Sequence, residues 1–85
     1  MPKYRVDIIP KAEKEFLKLS ENIRHSLSRK LLSLEENPRP SGSKKLKETE
    51  YYRIRAGAYR VVYAISDADK TVKILSIGHR REIYR

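Results

Sequence analysis

The chain has 85 residues, no cysteine, and 20 Lys+Arg against 11 Asp+Glu, a formal net charge of +9. That length allows one core and excludes a second domain; the absence of cysteine excludes disulfides, thiolate metal sites and cysteine nucleophiles, and suits a reducing cytoplasm. No apolar run approaches the ~20 residues that span a bilayer, and "MPKYRVDIIP" has no signal-peptide core, so no membrane association and a cytoplasmic location are expected.

Residues 4–9, "YRVDII", are β-rich and partly alternating, and Pro10 ends them, which predicts a strand. From Pro10 the period changes. Ala12, Phe16 and Leu19 recur at helical spacing, and Pro10 is tolerated at the start of a helix, where its missing N–H costs little. Ser20 suits the N-cap of a second helix reaching about Asn37, with Ile23, Leu27, Leu31 and Leu34 as its apolar stripe and Pro38 as its stop. The two helices are expected to pair as an αα-hairpin and bury their stripes. "NPRPSGSKK", residues 37–45, reads as a mobile connection. Three strands follow, near 51–56, 59–66 and 71–78, joined around Gly57 and through the polar turn "SDADKT" with Asp67 and Asp69. The order β-α-α-β-β-β predicts a single α+β domain over 1–85: a mostly antiparallel sheet with the N-terminal helix pair packed on one face.

Alternate side chains of a strand share a face, so Arg53 and Arg55 point away from Tyr52 and Ile54. With helices over one side, the two arginines take the open side. On the next strand Tyr59, Val61, Tyr63 and Ile65 share one face, and Arg60 shares the other with Val62 and Ala64. The tail "GHRREIYR" adds His79, Arg80, Arg81, Tyr84 and Arg85 directly after the last strand, where an antiparallel neighbour brings them towards the hairpin. Such a patch suits a phosphodiester, because the planar guanidinium fork matches phosphate oxygens bidentately. The plainer reading is a solubilising face or a docking surface for an acidic partner. Lys44, Lys45 and Lys47 are expected to form at most a phosphate-contacting edge, with Leu46 as their anchor in the core. A metal-dependent nuclease would need clustered carboxylates or histidines, and the sheet offers mainly cations; no metal or cofactor is expected.

Together, "YRIRAGAYRVVYAI" and "ILSIGHRREIYR" resemble the RelE branch of the RelE/ParE toxin superfamily, and the element order agrees over nearly the whole chain. The resemblance implies the toxin of a type II toxin-antitoxin system, a metal-independent endoribonuclease that cuts mRNA in the ribosomal A site through attack of the RNA 2'-hydroxyl. It also implies an acidic, RelB-like antitoxin as partner. By the same resemblance Arg53 and Arg55 stand where relatives often carry lysine, Arg60 matches a phosphate-contacting arginine, and Arg80 and Tyr84 match C-terminal site residues. A guanidinium is effectively always protonated, so Arg53 and Arg55 are not assigned as base, and by type Tyr84 and His79 are the remaining choices. Two alternatives stay open: a ParE-like inhibitor of DNA gyrase, and a non-catalytic RNA- or protein-binding module.

Overall fold

A computed structural model of the protein describes residues 3–79. Strand β1 (Arg5–Ile8) leads into α1 (Pro10–Leu17) and α2 (Glu21–Glu36), and the chain returns as β2 (Lys44–Lys45), β3 (Tyr51–Ala56), β4 (Tyr59–Ser66) and β5 (Thr71–His79). The sheet order is β1-β5-β4-β3-β2, with β1 parallel to β5 and every other pair antiparallel. It is the expected α+β arrangement with one addition. Lys44–Lys45 pairs with Arg53 and Tyr52, so the end of the segment expected to be a mobile connection is a short edge strand.

Local chemistry accounts for the helices. Pro10 opens α1 and Lys11 pairs with Glu15 one turn on at 2.8 Å. Ser20 caps α2, its Oγ accepting from the Ile23 N–H at 3.4 Å. Ala12, Leu27, Leu31 and Leu34 then meet Ile54, Val61, Tyr63, Val72, Ile74 and Ile77 in one core. Helix α1 packs along β5 and α2 across β1 and β3, and both apolar stripes are buried in the one core shared with the sheet.

Between β3 and β4 the turn occupies Gly57 and Ala58, with Ala56 opposite Tyr59. Gly57 has φ +63°, as the first central residue of a II′-type hairpin turn requires. A less visible feature lies in β5. Val62 pairs with Ser76 but Tyr63 with Ile74, so Leu75 is an extra residue, a β-bulge. The bulge lets both Ile74 and Ile77 point into the core, and it reverses the facing of every residue that follows. The strand also continues past Gly78 to His79.

Candidate nucleic-acid interface

The register sets the open face. Arg53 lies opposite Val62, Arg55 opposite Arg60, and Lys44 opposite Arg53, so four cationic residues from three strands share one side. Ile54 and Val61, the intervening opposed pair, point into the core. Arg55 is exposed and Arg53 half-buried, whereas Arg60 retains only 8% of its surface. The burial reaches the guanidinium, whose Nε is shut off from solvent, so packing fixes the whole side chain before any ligand arrives. Like charges directly opposite repel, so the Arg55–Arg60 pair gains whenever an anion lies between them.

His79 sits elsewhere. It lies opposite Tyr59, edge-on to its ring at 5.7 Å between centroids, on the helix-covered side of the sheet. Simple alternation from Lys73 would put residue 79 on the open face; the Leu75 bulge turns it over. There it lines a groove of about 710 Å³ with Lys11, Glu15, Lys18 and Tyr59. Glu15 closes this region by accepting the Ile77 N–H at 2.8 Å, on the edge of β5 that extends beyond β1. Burial pushes the Glu15 carboxyl up, but Lys11 and the Ile77 amide together outweigh it and hold the group below its ordinary value. The expected meeting of His79 with the arginines is therefore not found. Arg80, Arg81 and Tyr84 lie outside the described residues.

The three lysines separate as well. Lys44 joins the arginines, Lys45 turns to the Tyr52 side and approaches Glu50 at 3.9 Å, and Lys47 occupies a mixed-charge turn with Glu48 and Glu50. Leu46 is half-buried and stands outside the core cluster, contrary to its expected anchoring role.

The loop from α2 to β2 is tied down by contacts that the sequence does not signal. Arg39 donates to Asp67 through Nη1 and Nη2 at 3.3 and 3.0 Å and to the Tyr52 hydroxyl through Nε at 3.1 Å, while Tyr4 donates to Asp67 at 2.6 Å. Arg39 and then Tyr4 hold the Asp67 carboxyl below its ordinary range, and that hydrogen bond raises the Tyr4 phenol. Beneath them the buried Tyr63 hydroxyl donates to the Pro38 carbonyl oxygen at 2.8 Å, and burial pushes its phenol up to about 12. The signal in sequence was only a pair of aspartates in a turn. Nothing in spacing links Asp67 to Arg39.

Among the described residues, no group of three or more His, Cys, Asp or Glu is placed to hold a metal ion, and no helix is long and apolar enough to cross a membrane. A small α+β domain with a cationic open sheet face is thus the class that geometry defines. The family model for the ParE toxin of type II toxin-antitoxin systems, parDE, matches residues 6–84. The chain belongs to the RelE/ParE superfamily of type II toxins. It is similar to the isolated Escherichia coli RelE toxin at 33% identity and TM-score 0.80, over 89% of this chain and 83% of that one. The archaeal RelE–RelB complex of Pyrococcus horikoshii OT3 matches at 32% identity and TM-score 0.82, over 94% and 97%. The RelBE2 toxin-antitoxin complex of Mycobacterium tuberculosis matches at 28% identity and TM-score 0.83, over 92% and 99%. No curated protein sequence matches significantly.

Proposed function

We propose that this toxin is a ribosome-dependent endoribonuclease that cuts mRNA in the A site and so stops translation in the cytoplasm. The observation that carries this reading is the cross-strand pair Arg55–Arg60 with Arg53 beside it, three guanidinium side chains on one face with one of them nearly buried. In the reaction the 2'-hydroxyl loses its proton as its oxygen bonds to the adjacent phosphorus, and the bond from phosphorus to the 5'-oxygen breaks. The products are a 2',3'-cyclic phosphate and a 5'-hydroxyl end, the latter taking up a proton. Charge accumulates on the phosphoryl oxygens in between. Positioned guanidinium groups stabilise that charge, and they do so more strongly where water is excluded.

Arginines do not serve as the base, since they stay protonated. His79 lies on the far side of the sheet from the arginine face, so this reading leaves proton transfer to Tyr84, with Arg80 and Arg81 adding charge and Lys44 contacting the RNA backbone. Lys45 and Lys47, beside glutamates, have at most a peripheral part.

The partner in this reading is an acidic, RelB-like antitoxin, because the solved relatives include toxins in complex with RelB. Masking of the arginine face by its acidic segment would suffice for neutralisation. A structure of the complex with that face fully open would overturn the masking.

The decisive experiment is 5'-end mapping of an mRNA on stalled ribosomes with purified toxin, compared with Arg60→Ala and with free RNA. New ends confined to the A-site codon, and absent from both controls, are the expected result. A second reading is gyrase inhibition, favoured by the ParE description of the matching family model. It would gain if no ends appear while the folded toxin blocks supercoiling by DNA gyrase, and if Arg55→Ala leaves that block intact.

A further inference from the structure

Beyond Arg53 the outer edge of β3 has no strand partner among the described residues, because β2 stops at Lys44. At that edge lies a groove of about 430 Å³ whose walls come from three places: Lys30 on the exposed side of α2, Ser41 and Gly42 in the tied-down loop, and Lys44, Arg53 and Arg55 on the sheet. Among the described residues its lining holds four cationic side chains and no carboxylate. The groove over β1 and β5 differs in including Asp7 and Asp69, and the one beside His79 in including Glu15, whereas the groove along α2 that shares Lys30 adds Arg29 and, among the described residues, no carboxylate. Arg55 belongs both to this groove and to the cross-strand pair with Arg60, so the two sites are continuous.

We infer that the groove is a phosphate-backbone track: single-stranded RNA flanking the residues held at Arg60 turns round the free edge of β3 and passes between Lys44 and Lys30. This deepens the proposed function and rests on its choice of RNA as the polyanion. An acidic amphipathic peptide fits less well, because it needs an apolar pocket and the groove offers only Pro40 and the 3%-exposed Ile54. A nucleic-acid backbone needs only regularly placed cations and small residues that allow close approach, which Ser41 and Gly42 supply. Lys30 takes no part in the apolar stripe of α2, and its role is to hold the strand by charge rather than to touch the reacting atoms.

Two measurements separate this inference from the reading beneath it. The first is fluorescence anisotropy of a labelled, short single-stranded oligouridylate over a salt series, with full-length wild-type toxin, Lys30→Ala, Lys44→Ala and Lys73→Ala; the last removes an open-face cation that lies opposite Asp7. Each lost phosphate contact on a single strand makes the slope of log K against log salt shallower by about 0.7, equivalent to about fivefold in affinity at ~0.1 M salt. Lys30→Ala and Lys44→Ala are expected to show that change and Lys73→Ala to show none. A wild-type slope for Lys30→Ala, or an equal change for Lys73→Ala, overturns the track. The second measurement is A-site cleavage by wild-type toxin. Loss of the salt slope together with absent cleavage supports the track and removes the endoribonuclease reading. Cleavage together with an unchanged slope does the opposite.

Discussion

At the β1–β5 end of the open face, Arg5 is held 3.2 Å from Asp7, and Lys73 lies opposite that same aspartate in the register. At the β3–β4 end, Arg55 faces Arg60 and Arg53 faces Val62, with Lys44 next in line and no carboxylate in the rows they form. Both ends belong to one sheet, and both are rich in cations. The first is locally neutralised and exposed, where an ion pair contributes roughly 0–1 kcal/mol. The second concentrates like charge around an arginine that is almost buried. A net charge of +9 describes the chain and not the site; what distinguishes the two ends is that, among the described residues, Asp7 stands in the paired rows of one and no carboxylate in those of the other.

The comparison is broken most severely at Arg60. Arg60→Ala is expected to lower single-turnover cleavage on ribosomes by about 10²–10³-fold, the range seen when one positioned charge stabiliser is removed. Because the side chain is nearly buried, Arg60→Lys serves as the companion variant: it keeps a stem and a charge, loses the planar fork, and should fall between the two. Wild-type cleavage by Arg60→Ala would remove the arginine face from the chemistry. Arg55→Ala, at an exposed position, should cost about tenfold, as expected for one hydrogen bond to a charged group. Here folding is not in question, so an unchanged rate would reassign Arg55 to binding alone.

How far sequence alone reached depends on whether a signal is local. Pro10, Ser20 and the Leu27, Leu31, Leu34 stripe mark the helices because capping and periodicity act within a few residues. Alternation in 51–56 and 59–66 likewise assigns Arg53, Arg55 and Arg60 to the face opposite Ile54 and Val61. The Leu75 bulge has no such signature, since "ILSI" is compatible with a regular strand, and one inserted residue sends His79 to the other side. The Arg39–Asp67 clasp joins residues 28 positions apart, and Lys30 reaches the groove only through the way α2 crosses the sheet. Such contacts belong to the tertiary packing.

The clasp supplies the next two tests, both reporting on the loop that walls the groove. Tyr63→Phe removes the donor to the Pro38 carbonyl oxygen and leaves a buried acceptor unpaired, at a cost of about 1–3 kcal/mol. Thermal unfolding should register about 4–8 °C per kcal/mol in a domain of this size. The phenol is raised when folded, so its contribution is complete below the ordinary tyrosine pKa of ~10 and is lost as pH rises towards about 12. Tyr63→Phe should remove that alkaline component, and an unaltered pH profile would show that the phenol is not held by burial. Asp67 has the opposite sign. Its folded-state value is depressed by Arg39 and Tyr4, so its contribution is present above the ordinary carboxylate range and lost as pH falls below it. Asp67→Asn should flatten the acid limb of a melting-temperature profile by a small amount, because the pair is exposed.

The smallest expected effect is the one that tests the comparison itself. Arg5→Ala and Lys73→Ala each remove one positive charge from the open face, just as Arg55→Ala does. If cleavage depended on the summed field of the face, all three substitutions would lower the rate alike, and they would do so most at low salt, where screening is weak. If local placement decides, the two variants at the neutralised end should cleave within about twofold of wild type and unfold within about 0.5 kcal/mol of it, as surface changes away from special contacts do. Arg5→Ala also frees Asp7 from its 3.2 Å partner, which leaves an exposed acid facing Lys73 and repels any RNA extending in that direction. A cleavage defect in Arg5→Ala that Lys73→Ala lacks would therefore mean that the RNA also runs towards β1, and the division of the face into two ends would have to be redrawn.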